Sequence, residues 1–179
     1  AHADSIVFVK DANIWLAAPD GSKLTQVTTD GTPEFPYHSP SQADDGTIAA
    51  CHRLSIVRLK QNGEVLNTLD PPPLVNSVSQ TVDGTPVDVA ITPAGSKIAY
   101  TFVSSQCPIG ADCDTRPGTG IPNAGAFTPP GTYATALYGS PRWVGNGRLL
   151  VTGGYLHHIN LVDAAPGSPT VHWFDDQEF

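Results

Sequence analysis

The chain opens with short apolar runs that end at turn residues, and this pattern is typical of β-strands. Residues 5–10 (SIVFVK) and 14–18 (IWLAA) are rich in β-branched and aromatic side chains, which favour extended backbone. The sequence PDGS at 19–22 predicts a turn between strands, because Asp-Gly tolerates positive φ. In residues 23–28 (KLTQVT), Leu24, Gln26 and Thr28 would lie on one face and Lys23, Thr25 and Val27 on the other, which suits a third, more exposed strand. The opening therefore predicts an antiparallel meander.

The same pattern continues further along the chain. A strand is predicted to restart at Thr47, another covers 54–60 (LSIVRLK), and Asn62-Gly63 is a strong hairpin signal. The return strand at 65–69 (VLNTL) should end at the prolines of DPPP, since proline cannot donate into a ladder. Further strands are predicted over VDVAI (87–91), IAYTFV (98–103), YLHHINLVD (155–163) and TVHWFDD (170–176). No segment keeps a helical period for three turns, so the predicted fold class is all-β.

The chain also repeats itself, which predicts how these strands are grouped. The sequence DGTP occurs at 30–33 and again at 83–86, and strands restart after Gly46, Gly95 and Gly147. A recurring unit of about 40–50 residues with several short strands indicates the blades of a β-propeller. Each such sheet buries its faces against its neighbours. We therefore predict about four blade-like units, with DGTP at the joint between blades.

A segment dense in Gly and Pro interrupts the third unit. Residues 104–132 are predicted to form a long inserted loop, and long loops are often functional. Cys107 and Cys113 lie within it, and a local disulfide is the simplest interpretation, with two free thiols as the alternative. A zinc site would need further ligands close by. Cys51, in the strand-like TIAACHRL, is predicted to be a small buried residue and not a nucleophile.

Composition narrows the class of protein and its partners. Hydrophobic residues make up 40% of the 179 and charged residues 15%, which suits one globular domain over 1–179, or part of a larger one. The 9 Lys and Arg against 17 Asp and Glu give a net charge of −8, which disfavours nucleic acid and anionic lipid as partners. No apolar run approaches 18 residues, so no membrane span is predicted.

Several short motifs together resemble the TolB-like (PD40) repeat, a relative of WD40. That repeat has a strand ending in Asp-Gly and Leu-Thr, followed by Ser-Pro-Asp-Gly and an Ile-Ala-Phe strand. The first copy matches at Ile14-Trp15, Asp20-Gly21, Leu24-Thr25, Ser39-Pro40, Asp45-Gly46 and Ile48-Ala49. Later copies match at Thr92-Pro93, Gly95, Ile98-Ala99-Tyr100, Ser140-Pro141, Trp143, Gly147 and Leu149-Leu150. The chain departs from the pattern by inserting Ser-Gln-Ala at 41–43 and by placing Ala94 where the repeat has Asp.

The resemblance implies a β-propeller, in families that usually have six or seven blades. A closed ring at about 40 residues per blade needs about 240 residues, so the chain is expected to be a propeller fragment, completed by a second polypeptide or by a symmetry mate. Open sheet edges invite such pairing. The resemblance also allows a role in an enzyme, because several enzymes carry TolB-like propellers beside a hydrolase domain.

Two functions follow from these expectations. The first is a non-catalytic, exported scaffold that binds a protein, peptide or cell-envelope ligand, with the 104–132 loop as a contact surface. The alternative is a propeller domain of a secreted hydrolase or lyase with its site at the propeller mouth. No G-x-S-x-G or H-E-x-x-H motif is present, and no catalytic residue, metal or cofactor is predicted. The candidate ligand-binding residues are Asp11, His38, His52, Asp88 and His158.

Other polar and aromatic residues have simpler interpretations. His157 and His158 are adjacent on a predicted strand and should point to opposite faces. His158 and His172 are possible cross-strand neighbours near Asp163, but solvated histidines are the default over a metal site. The acidic run at 175–178 is a solvated tail in preference to a calcium site. Trp15, Trp143 and Trp173 are expected to pack between sheets.

The amino terminus and the cysteines bear on where the protein works. Ala1-His2-Ala3 has the A-x-A form of a secretory cleavage site. A disulfide between Cys107 and Cys113 would require an oxidising compartment. We therefore expect the protein to be secreted or to reside in the periplasm or cell envelope.

Overall fold

The structure is a computed structural model, and it describes residues 5–70, 74–75, 81–82, 85–106, 114–121, 124–125, 135–136, 138–153, 158–164 and 170–174. All regular structure in these ranges is β, which confirms the predicted fold class. None of the described residues forms a helix of the length and apolarity that crossing a membrane requires.

Seventeen strands occur in the described ranges, in chain order: β1 (Ile6–Lys10), β2 (Asn13–Ala17), β3 (Thr25–Gln26), β4 (Tyr37–Gln42), β5 (Ile48–His52), β6 (Ser55–Leu59), β7 (Val65–Leu69), β8 (Leu74–Val75), β9 (Thr81–Val82), β10 (Thr85–Ile91), β11 (Ile98–Gln106), β12 (Asp114–Gly120), β13 (Thr135–Ala136), β14 (Tyr138–Val144), β15 (Arg148–Gly153), β16 (His158–Asp163) and β17 (Thr170–Phe174). They form sheet I (β1-β2-β3), sheet II (β4-β5-β6-β7), sheet III (β10-β11-β12-β13), sheet IV (β14-β15-β16-β17) and a small β8-β9 pair. Every pairing is antiparallel, and strands adjacent in sequence are neighbours in each sheet.

The turns between strands follow from their residues. Asp11 and Ala12 join β1 to β2 with φ of 51° and 64°, the paired positive values of a type I′ hairpin turn. The predicted Asp-Gly and Asn-Gly turns are present, with φ of 79° at Gly21 and 86° at Gly63. A residue without a Cβ takes this left-handed conformation at little cost.

The first strands of sheets II, III and IV each contain an irregularity. The register shifts between His38 and Ser41 in β4, between Pro86 and Asp88 in β10, and between Gly139 and Arg142 in β14. Within two of these bulges Ser39 and Ser140 have positive φ, 49° and 50°. A bulge bends the strand and turns side chains in a new direction, and bulges recur beside functional sites.

The hydrophobic core lies between the sheets. One cluster joins Ile14 and Leu16 of sheet I to Ile48 and Leu59 of sheet II. A second joins sheets II and III through residues such as Ile56 and Ile98, and a third joins sheets III and IV. The first strand β4 contacts β10, and β10 contacts β14. The four sheets therefore stack in chain order, which agrees with the prediction of four blade-like units.

Part of the segment 104–132, which was predicted to be a loop, forms β-strands. β11 extends to Gln106 and pairs along its length with β12, whose Arg116 faces Ser104. The Gly and Pro content misled the prediction here, because β12 (DTRPGTG) keeps an extended backbone despite its Pro and Gly residues. Cys107 and Cys113 lie outside the described residues, so their disulfide stays a prediction.

The two DGTP copies are not at equivalent positions. The first copy lies in the connection from β3 to β4, where the Asp30 carboxylate accepts a hydrogen bond from Tyr37. In the second copy Thr85 and Pro86 already belong to β10, while Asp83 and Gly84 lie outside the described residues. The first copy thus lies in the connection between sheets I and II, whereas the second copy runs into β10, the first strand of sheet III.

Candidate functional site

The bulges of β4, β10 and β14 bring polar side chains together at one end of the stacked sheets. His38 and Ser39 come from β4, Asp88 from β10 and Arg142 from β14. We call these four residues the bulge cluster. Because the three strands belong to three different sheets, the cluster exists only when the sheets are stacked.

Asp88 is the centre of the bulge cluster. Its carboxylate accepts a short hydrogen bond from Ser39 Oγ and a 3.0 Å ion pair from an Arg142 guanidinium nitrogen. Only 15% of the Asp88 side chain is exposed, whereas 62% of the Arg142 side chain is. The same Arg142 nitrogen also donates to the Pro141 carbonyl at 2.7 Å. The largely buried Asp88 carboxylate thus fixes Arg142, and most of the Arg142 side chain is exposed to solvent.

His38 lies beside this ion pair and is half-buried. Burial lowers the pKa of His38 below its ordinary value, although a hydrogen bond to the backbone of Val87 and the charge of Asp88 act in the opposite direction. The imidazole is therefore neutral at pH 7. A neutral imidazole has one donor and one acceptor nitrogen, so it pairs with either kind of polar group.

A stacked aromatic pair lies on the other face of sheet II, towards sheet I. The rings of Tyr37 and His52 are 3.9 Å apart between centroids and 17° from parallel. The Tyr37 hydroxyl donates to Asp30 at 3.0 Å, and burial followed by this bond raises the pKa of Tyr37. His52 is buried, and its Nε2 has no hydrogen-bond partner among the described residues.

Hydrogen bonds across the sheets hold the bulge backbones in place. Ser39 Oγ accepts from the Val89 N–H at 3.4 Å, and Ser41 Oγ accepts from the Ile91 N–H at 3.1 Å. Between sheets III and IV, the Ser140 N–H donates to Thr101 Oγ1 at 3.1 Å, and Trp143 Nε1 donates to the Ala90 carbonyl at 3.0 Å. Small hydroxyl side chains let the strands approach closely, and the site is preorganised as a result.

One exposed apolar side chain lies beside the bulge cluster. Val87 is in the β10 bulge, and its backbone forms a hydrogen bond with His38. Phe35 and Leu54 are also exposed, and the Arg53 guanidinium lies 5.0 Å from the centroid of the Phe35 ring. An apolar group next to a few fixed polar groups is a usual feature of a binding site.

Two of the five predicted ligand-binding residues come together. His38 of β4 lies next to Asp88 of β10, whose charge acts on the pKa of His38. His52 instead stacks on Tyr37, which packs in the core between sheets I and II. Asp11 is exposed in the β1–β2 turn; its neighbour Ala12 accepts a hydrogen bond from the Tyr37 N–H. No contact of the Asp11 side chain with the cluster appears in the described residues. His158 begins β16, which β15 separates from β14, so it lies away from the cluster.

The register of sheet IV also bears on the predicted histidine pair. His172 lies opposite Asn160, two residues along β16 from His158, so the two histidines are not directly opposite each other. Asp163 forms a 3.0 Å ion pair with Arg148 at the other end of β16 from His158. Among the described residues no three His, Cys, Asp or Glu side chains are grouped as metal ligands would be. His157 and the 175–178 run lie outside the described residues.

Sequence reasoning missed Ser39, Val87 and Arg142. Each lies in or next to a bulge, which a pattern of apolar residues does not encode. The repeated Ser-Pro pair at 39–40 and 140–141 was the available signal, because both pairs lie within bulges and both serines have positive φ. Cys51 and Trp143 meet their predictions, the first fully buried in the core and the second packed between sheets III and IV.

Comparison with known proteins adds no further constraint. No model of a protein family matches this chain, and no curated protein sequence matches it.

Proposed function

We propose that this chain is part of an exported, non-catalytic β-propeller similar to the TolB-like repeat proteins, and that it binds a protein or peptide ligand at the bulge cluster. The observation that carries the proposal is the meeting of His38, Asp88 and Arg142 from three stacked sheets. Side chains fixed on strands and surrounded by cross-sheet hydrogen bonds form a rigid recognition surface.

The chemistry of the cluster favours binding over catalysis. The Ser39 hydroxyl donates to a carboxylate, and a serine nucleophile instead donates to a general base such as histidine. The nearby Cys51 is fully buried, and burial together with the charge of Asp88 raises the pKa of its thiol to about 12. A thiol of that pKa carries almost no reactive thiolate near neutral pH.

The exposed groups also indicate the ligand class. Arg142 offers guanidinium donors suited to one carboxylate, and neutral His38 offers a donor or an acceptor. Val87 offers apolar surface beside His38. The net charge of −8 opposes polyanions. A peptide with one carboxylate next to an apolar side chain fits this combination.

A displayed library of random peptides, selected on the chain, tests the proposal. We expect enriched peptides that carry a carboxylate beside an apolar residue, with an affinity that falls about tenfold or more in Arg142→Ala or Val87→Asp, or about 1.4 kcal/mol of binding free energy. The control is Arg148→Ala, which removes a similar 3.0 Å ion pair far from the cluster. Enriched peptides that bind all three variants equally well, or a failure to enrich any peptide, would refute the proposed function.

A further inference from the structure

Sheet I has the same construction as the last three strands of sheet II. In β2–β3 the Ala18 N–H donates to Ser22 and the Gly21 N–H donates to Ala18, both at 2.8 Å. In β6–β7 the Lys60 N–H donates to Glu64 and the Gly63 N–H donates to Lys60, at 2.9 and 3.0 Å. The preceding hairpins also agree, since each has two residues between its strands. β1, β2 and β3 therefore correspond to β5, β6 and β7.

The contacts between sheets give the same correspondence. In sheets II and III the second strand packs on the first strand of the next sheet, as β5 packs on β10 and β11 packs on β14. β1 packs on β4 in this way, and β2 also contacts β4 as β6 contacts β10. β1 thus has the position of a second strand, and no described strand takes the first position in sheet I.

One apolar side chain of β1 lacks the cover that its counterpart in sheet II has. By register, Val9 corresponds to Cys51. Cys51 is 0% exposed in the core between sheets II and III, whereas Val9 is 39% exposed. Val9 is on the same face of β1 as Val7, which packs on the core between sheets I and II, so its exposure is not explained by the open outer face of sheet I.

The backbone of β1 also has hydrogen-bonding groups directed away from β2. In a two-residue hairpin the residues that flank the turn, here Lys10 and Asn13, form a hydrogen-bonded pair, and such pairs alternate along the ladder. The N–H and C=O groups of Val7 and Val9 therefore point to the other side. Their counterparts Ala49 and Cys51 lie opposite Ser41 and His38 of β4. An edge of this kind is a template for another strand.

We propose that the free edge of β1 binds an extended segment of a partner polypeptide as the fourth strand of sheet I. The bound strand runs antiparallel to β1 and has the character of β4, with small hydroxyl residues that pack against the neighbouring first strand. Its main-chain groups pair with Val7 and Val9, and its side chains cover Val9. This is β-strand addition, in which the backbone supplies affinity and alternate side chains supply specificity. The site is distinct from the bulge cluster.

The probe is a synthetic peptide with the sequence PYHSPSQA of residues 36–43, here called the β4 peptide. Titration calorimetry should show one peptide bound per chain, and a scrambled peptide of the same composition should bind at least about tenfold more weakly. Val9→Pro removes an edge N–H and should abolish binding. The control is Leu66→Pro, placed on β7 at the outer edge of sheet II. Circular dichroism must show that both variants are folded.

A second measurement keeps the test decisive if Val9→Pro fails to fold. On the unaltered chain the β4 peptide should slow hydrogen exchange at the amides of Val7 and Val9 by about tenfold or more, and at no amide of β7. Arg142→Ala should leave peptide binding unchanged, which separates this proposal from the bulge-cluster function. Lack of binding at about 1 mM peptide, or protection elsewhere than β1, would overturn the inference.

Discussion

Single residues set how closely the sheets of this protein approach one another. A Cβ at Gly63 would collide with the carbonyl oxygen of Val27, which belongs to the segment after β3. A Cβ at Gly31 would collide in the same way with the carbonyl oxygen of Ala12. Gly63 thus allows the β6–β7 turn of sheet II to pack directly on main chain next to sheet I, and Gly31 allows the connection after β3 to pack on the β1–β2 turn. No periodicity in the sequence reveals such a contact, because it depends on the stacking of distant segments.

The contact at Gly63 gives a direct stability test. Gly63→Ala should lower the free energy of unfolding by about 3 kcal/mol, since the substitution adds a collision to the strain of a left-handed alanine. Gly21 is the matched control, with φ of 79° and no atom near its Cβ position. Gly21→Ala should therefore cost only about 1–2 kcal/mol. Urea denaturation measures both, and equal losses would show that the contact has no energetic weight.

Cys51 should be inert in the native protein. Its side chain is fully buried, and the pKa of its thiol is raised to about 12, so maleimide at pH 7.5 should not label it until the chain unfolds. Mass spectrometry counts the labels. With the predicted Cys107–Cys113 disulfide formed, unfolding without reductant should add one label and unfolding after reduction should add three. A label on Cys51 in the native state would contradict the buried position.

His38 should make stability depend on pH in a predictable direction. Its folded pKa lies below the ordinary 6.5, so the unfolded chain binds a proton more readily. The stabilising contribution of neutral His38 is complete above about pH 6.5 and is lost as the pH falls through the folded pKa. His38→Gln should therefore show a shallower decline in unfolding free energy between pH 7 and 5 than the unaltered chain. Parallel curves for the two proteins would exclude this linkage.

At the scale of the element, the sequence predicted most reliably the strands that contain a run of apolar residues. β1, β2, β5, β6 and β7 have apolar runs that include β-branched or aromatic residues, and β2, β6 and β7 are followed by Asp-Gly, Asn-Gly and proline turns. β4 and β14 escaped prediction because YHSPSQ and YGSPRWV contain proline and polar residues. Their strand character comes from pairing with β5 and β15, and the bulge accommodates the proline. Tertiary pairing here overrides local propensity.

The bulge cluster should contribute to stability mainly through Asp88. Asp88→Ala removes the acceptor for Ser39 and Arg142 at a largely buried position, and should cost about 1–3 kcal/mol. Arg142→Ala should cost less than about 1 kcal/mol, because its side chain is mostly exposed and the pair is screened by solvent. A double-mutant cycle in urea separates the pair from its surroundings. A larger loss from Arg142→Ala than from Asp88→Ala would reverse our view of which residue supports the other.

At the scale of the whole molecule, repetition in the sequence predicted the stack of sheets. It did not predict how the strands of sheet I correspond to those of sheet II, or which side chains meet between sheets. The spacing of Gly46, Gly95 and Gly147 correctly marked the turns before β5, β11 and β15. It gave no sign that β1 is the counterpart of β5, because the apolar run of β1 looks like any other strand. Likewise Asp88 and Arg142 are 54 residues apart, and only the stacking of sheets III and IV joins them. Contacts of that kind depend on the relative placement of sheets, which strand periodicity does not encode.

The indole of Trp143 bridges sheets III and IV, so its fluorescence should report when those two sheets part. Trp15 lies in sheet I with its ring beneath the Lys10 ammonium group, so its emission reports on a different part of the stack. In a Trp173→Phe background, paired single-tryptophan variants would show two red shifts. If both shifts occur at one urea concentration, the four sheets unfold as a single cooperative unit. If the shifts occur at different concentrations, sheet I and the pair of sheets III and IV unfold in separate steps.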